Sequence, residues 1–405
     1  MKNSHAFRQL LLAGLLSTSL FACRPSDPKS TATAEPQISF ALESKPHGYY
    51  VGQAGLWWEQ LQQNMANETA WYHYYRACRN AQGTADWRED FVEEAPFLRL
   101  GDTIVALMEE HIPNSFTYHF VKGSTGAVDP TYQENLRQAY ALNPDFPGIQ
   151  AAMVTYAVST HQPTVRQEAN QRWKGLGTLH PGLLQYSRNV LRTLPPNAVL
   201  LTQHDNDSYP AWMLQDAYDF RPDVLILNID FLLLEQFRQP VFEELGIPPF
   251  QLEEISVNEY RTNWRNVVEH LLGHYPQERP LHIGLTVSPD WYAAFSDSLR
   301  LEGLSYRFMP PAEGPTKLEI NRGNYETGWD LAELNTPQPK YPGEPNITRM
   351  NMHYLPAFRL LYAHYQAEGQ SREAKQIAEL ARGIAQRLGD EALMARVEEE
   401  FGATH

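Results

Sequence analysis

Two short apolar runs constrain the fold most. Ala198-Val199-Leu200-Leu201-Thr202-Gln203 and Val224-Leu225-Ile226-Leu227-Asn228-Ile229 are near-continuous β-formers, with a helical stretch through Ala211, Leu214 and Tyr218 between them. A strand apolar on both faces must be covered on both faces, so this order spells a βαβ unit in a buried parallel sheet. Leu281–Val287 and Leu304–Phe308 read as a third and a fourth strand. Helical patterns fill the gaps, one over 258–273 with Trp264, Val268 and Leu271, the next carrying Trp291, Phe295 and Leu299. The expectation is a small, mostly parallel α/β domain over 194–312.

Both flanks read as helical. Over 46–193, Leu56, Trp57, Leu61 and Met65 recur at helical spacing, as do Trp71, Tyr74, Tyr75 and Cys78. Asn67 and Thr69 are candidate N-caps, and Trp57, Trp58, Trp71 and Tyr72 read as the core of a helical hairpin. Residues 351–405 give a second hairpin, tetratricopeptide-like, with Phe358, Leu361 and Tyr365 facing Ala374, Ala378 and Ala381 across a stop at Gly369. The Gly, Pro and Asn rich stretch 313–350 reads as an irregular connection packed on the α/β domain.

The first 22 residues carry Lys2 and Arg8, then the short apolar run Leu10–Leu16, and end at Ala22 directly before Cys23. The run is shorter than the roughly 20 residues that span a bilayer. It reads as a lipoprotein signal with Cys23 as the acylated residue, and Pro, Ser, Thr and Ala rich residues 23–45 as a flexible tether. The expected site is the cell envelope, as an outer-membrane lipoprotein facing the periplasm and held to the membrane by its N-terminal lipid. Without residues 1–22, 31 Lys and Arg face 48 Asp and Glu, a formal charge of −17. That acidity argues against nucleic acid. The remaining 383 residues suggest two or three domains.

One constellation carries possible chemistry. His204-Asp205-Asn206-Asp207 follows the first strand and precedes a helix, at the carboxyl end of a parallel strand where α/β folds bind ligands. Three readings stand. In the first, Asp207 or Ser208 caps the helix, Asp205 and Asn206 bind turn backbone, and Pro210 sits in the first turn. In the second, the loop binds sugar or peptide, with Trp212 stacking, Asn228 lining the cleft and His204 acting as a base. The third is a hard-cation site, which lacks the Gly and distal Glu of the calcium loop. No metal and no cofactor is expected. Gly175-Leu176-Gly177 reads as a turn, and His270 and His274 lie at zinc spacing without the accompanying Glu. Cys78 reads as a buried hydrophobe.

Residues Asn197 to Leu234 hold a strand, Asp205-Asn206-Asp207, Tyr209-Pro210, Trp212, Leu214-Gln215, Arg221-Pro222-Asp223-Val224 and Asn228; Leu301–Pro310 and the hairpin with Ala357, Gly369 and Ala374 follow. In this order they resemble the extracytoplasmic C-terminal region of protein O-mannosyltransferase-like membrane proteins of Bacteroidetes, over roughly 195–388. The resemblance implies an α/β plus helical-repeat body outside the cytoplasm. It does not carry mannosyl transfer, which belongs to the family's multispanning region. His204 stands where the family has glycine.

The functional expectation is a non-enzymatic, lipid-anchored accessory protein that binds a protein or glycan partner. The alternative is an envelope enzyme acting on glycans through the His204–Asp207 loop.

Overall fold

Among the described residues eight α-helices precede the first strand: α1 (His47–Gln63), α2 (Glu68–Thr84), α3 (Gly101–His111), α4 (Phe116–Thr125), α5 (Pro130–Leu142), α6 (Ile149–Ser159), α7 (Pro163–Leu176) and α8 (Pro181–Thr193). The structure, a computed structural model, describes residues 33–40, 42–125, 130–252, 260–310, 318–335 and 344–402. Cys23 and the signal lie outside that set. The first hairpin forms as its periodicity predicts. Trp57, Leu61, Trp71, Tyr74 and Cys78 are buried between α1 and α2, and the Asn67 side chain caps α2 by accepting from Ala70 N–H. Burial pushes the Cys78 thiol up to about 12, the state of an unreactive packing residue.

The described end of the expected tether, from Glu35, is not free chain. Trp57 Nε1 donates to Glu35 O at 2.9 Å, Gln37 N–H to His73 Nδ1 at 3.0 Å, and Asn80 Nδ2 to Ile38 O at 2.7 Å. Ile38 and Leu42 stay exposed while Phe40 packs on Trp87, and polar side chains of the hairpin hold the main chain.

The central sheet holds β1 (Val199–Thr202), β2 (Leu225–Asn228), β3 (Leu281–Gly284), β4 (Leu299–Glu302) and β5 (Ser305–Phe308), in the order β2-β1-β3-β5-β4. β1 pairs in parallel with β2 and β3, whereas β5 runs antiparallel to both β3 and β4. The sheet is therefore mixed, not mostly parallel. The added strand is β4. Leu299, expected on a helix, opens it, and residues 289–298 form short 3₁₀ turns. A two-residue loop joins β4 to β5, with Gly303 at φ 67° in its first position, where a type II′ hairpin requires glycine.

Helices α9 (Asp205–Tyr218), α10 (Glu235–Glu244) and α11 (Tyr260–His274) connect the parallel strands. Beyond the sheet come α12 (Leu318–Gly323), α13 (Ala332–Asn335), α14 (Glu344–Asn351), α15 (Leu355–Ala367), α16 (Ser371–Leu388) and α17 (Glu391–Phe401). The connection expected to be irregular thus holds three short helices and a π turn over Asn324–Gly328. It is anchored by Asn189 on α8, whose Nδ2 donates to Asp330 O at 2.7 Å and to the Tyr354 hydroxyl at 2.8 Å. Asn189 Oδ1 in turn accepts from Asp330 N–H at 2.9 Å.

One buried apolar cluster runs from Phe120 through the sheet to Phe401. The boundaries placed at 193/194 and 350/351 fall inside that core. The α15–α16 hairpin buries Phe358, Leu361 and Tyr365 with Ala374, Ala378 and Ala381. Among the described residues no helix is long and apolar enough to cross a membrane.

Candidate functional site

Three adjacent strand ends build the site: His204–Ser208 follow β1, Asp230 follows β2 and Thr286 follows β3. The helix after β1 begins at Asp205, so His204 occupies the N-cap position. Its φ of 65° and ψ of −170° lie in a region that only glycine adopts without strain, costing roughly 1–3 kcal/mol for other residues. Two side chains hold it there. Asp230 Oδ2 accepts from His204 N–H at 3.0 Å and meets the ring Nδ1 at the same distance. Asn228 Nδ2 donates to His204 O at 3.1 Å.

Asp207 lies under the loop, buried. Its carboxylate accepts from Gln203 N–H at 2.9 Å and from the Thr286 hydroxyl. Burial raises its pKa to about 7 against these hydrogen bonds. Ser208 Oγ pairs with Thr202 Oγ1 at 2.7 Å and accepts from Asn228 Nδ2 at 2.9 Å. Asn228 Oδ1 accepts from Asp230 N–H at 2.7 Å. Gln203 Oε1 accepts from Ser288 N–H and Trp291 Nε1 and so ties the next loop in.

His204 and Asp205 form the exposed rim. The imidazole is 64 % exposed. Burial at its base opposes charging, but the Asp230 hydrogen bond and charge, with Asp207 and Asp205, outweigh it and hold the ring pKa above its ordinary value. The Asp205 carboxyl is raised by crowding from the loop beneath it and by Asp230, although the residue as a whole is exposed. Asn206 is half-buried in the first helical turn.

The grouping expected from sequence is only partly met. Asp207 and Asn228 are engaged within the fold and do not face a ligand. Trp212 is 1 % exposed, packed on Tyr209 and Phe231 with ring centroids 6.0 Å away in each case, so it offers the loop no stacking face. Pro210 lies inside the helix rather than in its first turn, because the helix starts at Asp205. The cavity that Asp207 lines, with Tyr186, Ser187 and Thr286, measures about 10 Å³, room for one water and for no sugar or peptide. Asp230 and Thr286 were not anticipated. Their signal was positional, since each follows a strand parallel to and beside β1.

Other groups resolve as structure. Among the described residues no set of three or more His, Cys, Asp and Glu can hold a metal. The His270 and His274 rings lie 4.3 Å apart, tilted by 33°, with His270 Nε2 against Pro248 O. Gly177 is the left-handed cap of α7. Within the sheet, Ser305 Oγ meets His282 Nδ1 at 3.0 Å, and His282 Nε2 lies 4.0 Å from Glu302. This serine–histidine–glutamate set copies a hydrolase order, but His282 is fully buried and its pKa falls to about 3 through burial. No acyl group reaches it, so it packs and does not catalyse.

The Arg221-Pro222-Asp223 element is likewise structural. The Arg221 guanidinium donates to Leu191 O, Leu194 O and Pro195 O at 2.6–2.8 Å, closing the end of α8, while Nε and Nη2 grip the Asp223 carboxylate at 2.8 Å. That pairing holds Asp223 well below the usual carboxylate range.

Residues 184–275 match the family model described as TMEM260-associated domain 2. TMEM260 is a protein O-mannosyltransferase-like protein. The match runs from the first turn of α8 to the end of α11. It takes in the Arg221 clamp, His204, Asp207, Asn228 and Asp230, and stops before Thr286 and the β3-β5-β4 half of the sheet. No curated protein and no solved structure shows a match.

Proposed function

We propose that this chain is a lipid-anchored accessory protein of a bacterial cell envelope that binds a protein or glycan partner without chemistry of its own. Cys23 carries the lipid, and the body sits on the periplasmic face of the outer membrane. One observation supports the binding reading most. Asp207, the most perturbed carboxylate of the loop, is held by Gln203 N–H and Thr286 in a cavity too small for substrate. The room for a partner lies elsewhere. A cleft of about 730 Å³ opens on the helical flank beside Tyr72, Phe116 and Phe146, and a second runs along β2. The α15–α16 hairpin serves as a tetratricopeptide-like unit, adding helical surface to the same role. The match to TMEM260-associated domain 2 favours a setting of protein glycosylation or its products.

The test is photo-crosslinking in intact cells, with Cys23→Ser as the anchoring control. The expected result is one specific adduct in the wild type and loss of both fatty-acid label and membrane fractionation in the variant. No specific adduct contradicts the reading.

A second reading keeps the loop as the active site of a glycan-acting enzyme. The exposed His204, backed by Asp230 and held in strained backbone beside Asp205, favours it. Glycan hydrolysis abolished by His204→Ala is its required result.

A further inference from the structure

We propose that the cleft on the helical flank is a saccharide-binding site, taking a short neutral glycan against the aromatic rings of Tyr72, Phe116 and Phe146. This rests on the binding reading above and assigns it a surface and a ligand class. The cleft measures about 730 Å³, within the roughly 300–1,000 Å³ of small-ligand sites. It opens between the starts of α2 and α4, the loop after α5 and the chain at 36–38.

The aromatic part is built as a corner. Phe146 meets Tyr72 edge-on with ring centroids 5.0 Å apart, and Phe116 at 4.6 Å with a tilt of 53°. All three residues are half-buried, so part of each stays open to the cleft. Ile38 and Leu142 line it too, 41 % and 59 % exposed.

The polar part is neutral and unspent. The hydroxyls of Thr69 and Tyr72 and the amides of Asn114 and Asn143 line the cleft without a hydrogen-bond partner among the described residues. His73 Nδ1 accepts from Gln37 N–H at 3.0 Å, which leaves the ring proton on Nε2 as a further donor. Burial lowers the His73 pKa and keeps the ring neutral. The helix starts are already closed by their own side chains. Asn67 Oδ1 accepts from Ala70 N–H, Ser115 Oγ from Tyr118 N–H, and Glu68 Oε1 from Thr117 N–H. Glu68 is the one carboxylate of the lining, and no Lys or Arg joins it.

Ring faces beside groups that both give and take hydrogen bonds call for a ligand with apolar C–H faces and hydroxyl edges. That is a saccharide. An anion would meet Glu68 and no cation. An extended peptide would find no sheet edge to join, because helices and loops alone line the cleft. The apolar face of a helix would bury the unpaired amides.

The test probes a glycan array of neutral and acidic di- to tetrasaccharides with the full chain, followed by isothermal titration calorimetry with the best hit. A neutral glycan should bind, with an affinity indifferent to salt. Phe146→Ala should weaken it at least about tenfold. Phe146 also packs on Phe120, so two milder variants keep the test independent of folding. Tyr72→Phe removes only a hydroxyl, Asn143→Ala changes an exposed side chain, and each should weaken the hit about fivefold. An array without neutral binders overturns the proposal. So does a hit that needs an acidic group, or one that tolerates both milder variants. A photo-crosslinker at Leu142 that captures a protein makes the occupant a protein and also overturns it. If the array is blank while crosslinking in cells still yields its adduct, this cleft assignment is wrong and the binding reading survives.

Discussion

His204 and Asp230 meet twice through one oxygen: Asp230 Oδ2 takes the His204 main-chain N–H and its ring Nδ1, each at 3.0 Å. A carboxylate from the end of β2 therefore pins a strained residue at the end of β1. Relief of that strain is measurable. His204→Gly removes the ring and the backbone penalty together, whereas His204→Ala removes only the ring. The glycine variant should be the more stable of the two by about 1 kcal/mol in urea unfolding. Equal stabilities would show that the backbone at 204 is not under strain.

The pH dependence follows from the same cluster. Asp207 titrates near 7 when folded and near 3.9 as an unfolded aspartate. Between those values the folded state holds a proton that the unfolded state has lost, so this contribution is full below about 4 and is lost as pH rises to 7. The raised pKa of His204 acts in the same sense, its stabilisation fading as pH climbs through the folded value. The urea midpoint should fall between pH 5 and pH 8. Asp207→Asn, a near-isostere of the protonated acid, should flatten much of that fall. An unchanged slope would mean that Asp207 does not titrate in this window.

Arg221 offers a test of the Arg-Pro-Asp element as architecture. Lysine cannot reproduce a fork that serves three carbonyl oxygens and one carboxylate. Arg221→Lys should cost about 2 kcal/mol of stability and leave partner binding per folded molecule unchanged. Weaker binding at full stability would place Arg221 in the partner surface instead.

What could be read from the chain, and what could not, divides along physical lines. The βαβ core was legible because Val199–Leu201 and Leu225–Leu227 are apolar on both faces, a pattern that few other environments accept. The β4 strand was not. Leu299-Arg300-Leu301-Glu302 alternates, but it follows Trp291 and Phe295 at helical spacing, and only the hairpin at Gly303 decides between the two. In the site, Asp207 and Asn228 were named as residues, but their hydrogen-bond partners were not. Their partners Thr286 and Asp230 sit on other strands, and a single sequence does not say which side chains meet. The Asn189 amide was missed for the same reason, its partner Asp330 lying 141 residues away.

That amide gives a further test. Asn189→Ala leaves Asp330 N–H and the Tyr354 hydroxyl without their partner, a loss of about 2 kcal/mol. Segment 318–335 should be cut first in limited proteolysis of the variant. Cleavage elsewhere, with 318–335 intact, would show that other contacts hold it.

The central claim is that this chain works by holding a partner and not by acid–base chemistry at the 204–207 loop. The most direct measurement compares wild type with Asp205→Asn/Asp207→Asn in the host cell, scoring crosslinked partner and rescue of a deletion strain together. Both should match the wild type. Partner capture that persists while rescue is lost would show that the carboxylates perform a reaction, and would contradict the account.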